Sequence, residues 1–173
     1  MTIPVSSGGG PTERPVKLPT PQTKFAVTAT KPKASDVEAV AGGPFNTNAK
    51  GIKAGLHASG VYGNVRTFKE TNPEEGTGLS GKITYTITVG EDGSVTDIAA
   101  NADVSCPKLN QQISSLEIKK NRTPAENEKL AGLKKQKATL VQELVDEGAK
   151  GMWGLKFKPP GKGGLKINAP YKF

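Results

Sequence analysis

The chain predicts an α+β fold in which a small antiparallel sheet of two hairpins packs against a helix, preceded by an extended N-terminal arm. Three observations predict it. Ile83, Tyr85, Ile87 and Val89 alternate with Thr84, Thr86 and Thr88, the two-residue period of a strand with one buried face. Thr123-Pro124-Ala125-Glu126 has the residue order of a capped helix start, and an apolar stripe follows it. Near the end, Leu165, Ile167, Ala169, Tyr171 and Phe173 alternate with Lys166, Asn168 and Lys172.

Residues 1–34 read as an arm. Gly8-Gly9-Gly10 and Pro11, Pro15, Pro19, Pro21 and Pro32 deny it regular hydrogen bonding, and its apolar residues show no period before Phe25-Ala26-Val27. Pro11, Pro15, Pro19, Phe25 and Val27 are its candidate partner contacts. Residues 35–70 read as a short glycine-rich helical region. Ser35-Asp36-Val37-Glu38 matches a capping box, and Gly42-Gly43-Pro44 ends the short helix it would open. A second helix is expected between Asn48 and Glu70 from Ile52, Leu56, Val65 and Phe68. Gly51, Gly55, Gly60 and Gly63 weaken it, or permit close approach to a sheet.

Residues 71–173 form the expected α+β domain. Thr71 to Gly78 is a loop, and Gly81 to Ala100 is the first hairpin. It turns at Gly90-Glu91-Asp92-Gly93 and returns through Val95, Thr96 and Ile98. Leu109, Ile113 and Leu116 allow a helical turn or two. The helix from Thr123 to about Lys150 carries Leu130, Leu133, Leu140, Val141, Leu144, Val145 and Ala149 on one stripe, interrupted by Lys134, Lys135, Gln136 and Lys137. Its first two turns are expected to project beyond the sheet. That projection is either a solvated lysine cluster or a coiled-coil seam. Met152 to Phe173 is the second expected hairpin, with Trp153, Leu155 and Phe157 on one face and a turn at Gly161-Lys162-Gly163-Gly164.

The 173 residues suit one domain, but 34% hydrophobic residues with 21 Gly and 13 Pro give less core than the length permits. Cys106 is the only cysteine and His57 the only histidine, which excludes an intramolecular disulfide and a cysteine-based zinc site. Cys106 reads as a small half-buried apolar residue. No run approaches the roughly 18 apolar residues of a membrane span, and no export pattern opens the chain. The expected protein does not itself span a bilayer. A formal charge of +8 points to an acidic partner: nucleic acid, an anionic membrane surface or another protein.

Leu79-Ser80-Gly81-Lys82-Ile83, Val89-Gly90-Glu91-Asp92-Gly93-Ser94-Val95, Trp153-Gly154-Leu155-Lys156-Phe157-Lys158-Pro159-Pro160 and Ala169-Pro170-Tyr171-Lys172-Phe173 occur in that order. The series resembles the TonB C-terminal domain family, most closely its AgmX/PglI-type relatives, over residues 61–173. The chain departs from that pattern by a helical insertion at about residues 114–137 and by the lack of a visible membrane anchor. The resemblance implies the fold, protein binding at the cell envelope by strand addition, and a place in the periplasm or on the periplasmic face of a membrane complex. It does not imply energy transduction.

No nucleophile, acid and orienting group converge in the sequence. His57 with Ser59 is a pair on paper without a third group, and His57 reads better as a structural histidine. Asp92 and Asp97 read as turn and strand residues. Lys156, Lys158, Lys166 and Lys172, with Lys162 at the turn, are expected to form a basic face on the second hairpin. That face either keeps the sheet soluble, docks an acidic protein or binds nucleic acid. The function expected is that of a non-catalytic accessory subunit, without metal or cofactor, that stabilises a larger membrane-associated protein assembly through its arm and sheet. The alternatives are a nucleic-acid-binding protein using the lysine face and a virion or shell component.

Overall fold

The computed structural model describes residues 24–71 and 79–173. Pro11, Pro15 and Pro19, and the loop expected after Thr71, lie outside them. The strands are β1 (Lys24–Thr28), β2 (Ser80–Val89), β3 (Val95–Ser105) and β4 (Leu165–Lys172). The helices are α1 (Ala49–Ser59), α2 (Val61–Thr71), α3 (Pro107–Glu117) and α4 (Pro124–Ala149). Among the described residues the strands make one antiparallel sheet in the order β1-β3-β2-β4. The α+β class and the first hairpin are therefore as expected.

Alternation decides which face of the sheet is covered. Ile83, Tyr85, Ile87 and Val89 of β2 are buried together with Ile98, Ala100, Ala102 and Val104 of β3 and Ile167 and Ala169 of β4. Val95 and Ile98 are three apart rather than two because the register shifts between Thr88 and Val89, which leaves Thr96 as the extra residue of a bulge. Asp92 shapes the turn before it, accepting from the Ser94 amide at 3.0 Å and from its hydroxyl at 2.6 Å. Those bonds, the hydroxyl first, hold the Asp92 carboxyl below its usual range.

The Thr123 capping box is present. Thr123 Oγ1 accepts from the Glu126 amide at 3.1 Å, and Glu126 Oε1 accepts from the Thr123 amide at 3.0 Å. Bonding to Lys119, then to the Thr123 amide, holds the Glu126 carboxyl down at about 2. The apolar stripe of α4 is buried along its whole length, Leu130 and Leu133 included. The projecting first turns expected from the sequence are not seen, because α3 packs against α4 there and supplies Leu109 and Ile113 to the same core. Arg122 ties the two helices. Its guanidinium donates to the Leu116, Glu117 and Lys119 carbonyls at the end of α3 and to Asn127 Oδ1 on α4.

Three other expectations are corrected. Lys24–Thr28, assigned to the arm, is a strand of the sheet paired with β3. The helix expected from Ser35 is only a 3₁₀ turn, Ala34–Asp36, with no side-chain cap. Val37 is already extended, and the Val40 amide donates to the Gly154 carbonyl at 3.0 Å. Docking of this segment decides the conformation: a Cβ on Gly154 would lie 1.8 Å from the Glu38 oxygen. The helix expected between Asn48 and Glu70 is two helices. Asn48 caps α1 by accepting from the Gly51 amide at 2.8 Å, and left-handed Gly60 (φ 76°) separates α1 from α2.

The second hairpin does not form. Trp153 is buried in a 3₁₀ turn, Met152–Gly154, and β4 pairs with β2 over eight residues instead. Residues 156–158 make their backbone bonds with Phe45 and Gly93, and Pro159-Pro160 has no amide hydrogen to give a ladder.

Candidate interaction surface

The helices cover one face of the sheet, and among the described residues nothing covers the other. Registry places its side chains in rows. At one end stand Lys24, Asp103, Lys82 and Lys172 from β1, β3, β2 and β4. The next rows are Ala26, Asn101, Thr84 and Pro170, then Thr28, Ala99, Thr86 and Asn168, and finally Asp97, Thr88 and Lys166. Short polar and small side chains make this surface flat, and Thr86 Oγ1 reaches Asn168 Oδ1 across β2 and β4 at 3.1 Å. A shallow groove of about 520 Å³ runs over its Lys24, Ala26, Thr84 and Asn101 corner.

Both edges of the sheet are blunted. Gly81 and Phe173 exchange both backbone bonds, at 3.1 and 2.9 Å, so the odd-numbered residues of β4 face β2 and the even-numbered ones face outward. Pro170 falls in the outward set, where it offers no donor, between Asn168 and Lys172. At the other edge, Gln142 donates to the Thr28 carbonyl at 3.0 Å, and Asp146 accepts from the Thr30 amide and hydroxyl, each at 2.9 Å. Strand addition, the binding mode the resemblance implies, meets Pro170 at one edge and the Gln142 and Asp146 bonds at the end of the other.

The predicted site residues separate. Phe25 and Val27 lie half-buried on the inner face of β1, packed against the core. Lys166 and Lys172 are on the outward face of β4, whereas Lys156 and Lys158 belong to the extended segment and Lys162 to the following turn; all five are exposed. Lys156 Nζ is 4.0 Å from Asp92, and the Gly163 amide donates to Glu91 at 2.7 Å. Asp97 and Asp103 stand among the lysines of the sheet face, so that face is mixed in sign. The expected single basic patch on a hairpin is absent.

His57 is exposed with its ring 5.0 Å from that of Tyr62, while buried Ser59 donates to the Leu56 carbonyl at 2.7 Å within its own helix. The two do not form a nucleophile and base. Among the described residues no group of three His, Cys, Asp or Glu side chains is placed to hold a metal ion. No described helix is long and apolar enough to cross a membrane.

Two features escaped sequence reasoning. Lys137 is 2% exposed, deep in the stripe of α4, and donates to Asn110 Oδ1 of α3. Burial pulls its amine down, opposed by Cys106 and Asp103. Burial pushes the wholly buried Cys106 thiol up, opposed by Lys137. The signal was available, since 133, 137, 140, 141 and 144 share one helical face. The second feature is a chain of half-exposed rings beside the end of β4. Tyr62 meets Tyr171 edge-on at 4.8 Å, Tyr171 lies 6.0 Å from Phe173, and Lys69 Nζ sits 5.6 Å from the centroid of Phe173. Tyr171 and Phe173, expected on the apolar face of their strand, are there but half-buried, packed against the core with Tyr62 and Lys69 of α2 beside them. No family model, curated protein or solved structure matches the chain.

Proposed function

We propose that the protein is a non-catalytic accessory subunit that joins and stabilises a larger protein assembly, using the open face of its sheet and the segment leading into β1. The observation that supports this reading best is the uncovered outer face, where four strands present rows of Thr, Asn and Ala side chains that a second protein surface can approach closely. A setting at the cell envelope is carried by the family resemblance alone. Nucleic acid is the weaker partner for this face, because Asp97 and Asp103 interrupt its lysines.

Gentle purification from the native cells tests the proposal. The full chain should recover a protein partner in fixed proportion. Thr84→Arg with Asn101→Arg, both on the open face, should lower that recovery at least tenfold while thermal stability is unchanged. A cut before Lys24, which spares β1, should weaken it as well. Undiminished recovery with both variants would refute the proposed surfaces.

A further inference from the structure

The charge of the chain is unevenly distributed. Residues 39–69 and 148–173 hold ten of the 24 Lys and Arg residues and none of the 16 Asp and Glu, so the rest of the chain carries a net −2. The fold brings these two acid-free segments together. Phe45 bridges Phe157, the Phe45 amide donates to the Lys156 carbonyl, and Tyr62 of α2 packs on Tyr171 of β4. Tyr62, Arg66 and Lys69 fall on one stripe of α2 at i, i+4 and i+7, alongside Tyr171 and Phe173. Lys50 and Lys53 continue the cations on α1, on the side of His57, whose ring meets Tyr62. Among the described residues, Lys53, Arg66 and Lys69 make no ion pair with an acid.

We propose that this surface, Tyr62, Arg66, Lys69, Tyr171 and Phe173 with Lys53 beside it, docks the protein onto an anionic lipid bilayer. The inference rests on the envelope setting proposed above and adds lipid as a direct ligand. Cations of one sign meet the negative surface of such a bilayer, and rings with polar tips settle at headgroup depth, apolar body inward and hydroxyl outward. The ring geometry favours lipid over single-stranded nucleic acid. Tyr62 is turned edge-on to Tyr171, at 70°, and Lys69 lies over Phe173, so the rings are engaged with one another and with a cation where bases would have to stack.

Sedimentation of the purified full chain with phosphatidylcholine vesicles, with and without phosphatidylglycerol, tests the proposal. Binding should require phosphatidylglycerol and weaken as salt is raised. Each cation removed near the surface should lower binding about fivefold, so Lys53→Gln, Arg66→Gln and Lys69→Gln together should lower it about a hundredfold. A control with Lys120→Gln, Lys129→Gln and Lys135→Gln, equal in charge change but elsewhere on the molecule, should bind as the parent does. Equal binding to both vesicle types, or an equal loss in the control, would overturn the proposal. So would an oligothymidylate that binds at the same surface more tightly than the vesicles. A chain that keeps its protein partner but ignores anionic vesicles would overturn this inference and leave the subunit reading standing. A chain that binds vesicles and recovers no protein would do the reverse.

Discussion

Gly148→Ala should destabilise the protein although it replaces the poorest ordinary helix former with the best. In an exposed helix the change favours folding by about 1 kcal/mol. Here the added Cβ would lie 2.1 Å from the Tyr85 hydroxyl and 3.2 Å from both Tyr85 Cζ and a Val65 methyl. Tyr85 has no room to retreat, being wholly buried, with its hydroxyl donating to the Val145 carbonyl at 3.2 Å. Overpacking of this kind costs about 1–3 kcal/mol. A buried hydroxyl driven off its acceptor costs a further ~1–3 kcal/mol. The net expectation is a loss of about 3 kcal/mol, or roughly 10 °C in Tm for a domain of this size. Urea unfolding followed by the fluorescence of Trp153, the single buried tryptophan, measures it. In a Tyr85→Phe background the hydroxyl is gone and the closest approach is an ordinary tight contact. Gly148→Ala should then be close to neutral, a coupling of about 3 kcal/mol in the double-mutant cycle. Equal cost in both backgrounds, or a stable single variant, would refute this account of why position 148 is glycine. The same tyrosine has a pH signature. Burial first, then the Asp146 charge and Tyr171, push its hydroxyl far above the usual value near 10. A raised acid contributes stability that is full below the unfolded pKa and is lost as pH rises above it. Stability should therefore fall above about pH 10, and Tyr85→Phe should flatten that fall.

Lys137→Met should raise stability by about 1 kcal/mol, because it removes a buried ammonium and keeps the side-chain volume. The amine is pulled down in the fold, chiefly by burial, so its penalty is present at neutral pH and relieved as pH climbs toward the ordinary lysine value. Parent and variant melting points should converge at alkaline pH, and a constant gap would count against the burial account. Cys106 should resist a thiol reagent in the native protein, being inaccessible and pushed up by burial, and should react only as fast as the chain opens. Rapid native labelling would place the thiol at the surface.

Local signals in this chain were legible wherever neighbouring residues settled the outcome. The Thr123 box works because cap and N3 residue satisfy each other's backbone amides within four residues, and the β2–β3 hairpin because the turn and both alternations agree. Ser35-Asp36-Val37-Glu38 carries the same kind of box and yet makes only a 3₁₀ turn before the chain extends at Val37, since the segment docks on Gly154 more than 110 residues away. The second hairpin misled for a related reason. Alternation in Trp153, Leu155 and Phe157 is compatible with pairing, but pairing partners are a tertiary choice, and β2 offers β4 an eight-residue ladder that four residues before two prolines cannot match.

The candidate surface was legible only in part, because a surface is composed of residues that need not be near one another in sequence. Lysine spacing along residues 153–173 placed four cations on one imagined sheet face and a fifth, Lys162, at its turn. Registry instead sets Asp97 and Asp103 among the two that reach the sheet. What the sequence does contain, and what periodicity does not reveal, is the pairing of two acid-free stretches some eighty residues apart. Neither is unusual alone, since helices or a strand with two cations each are ordinary solvated elements. Packing α2 beside the end of β4 brings Arg66 and Lys69 next to Tyr171 and Phe173 and their aromatic chain, with Glu70 the one acid on these two elements. The field over such a patch acts on encounter and orientation rather than on fold. Charge reversal there should therefore leave folding intact and change only what the protein meets.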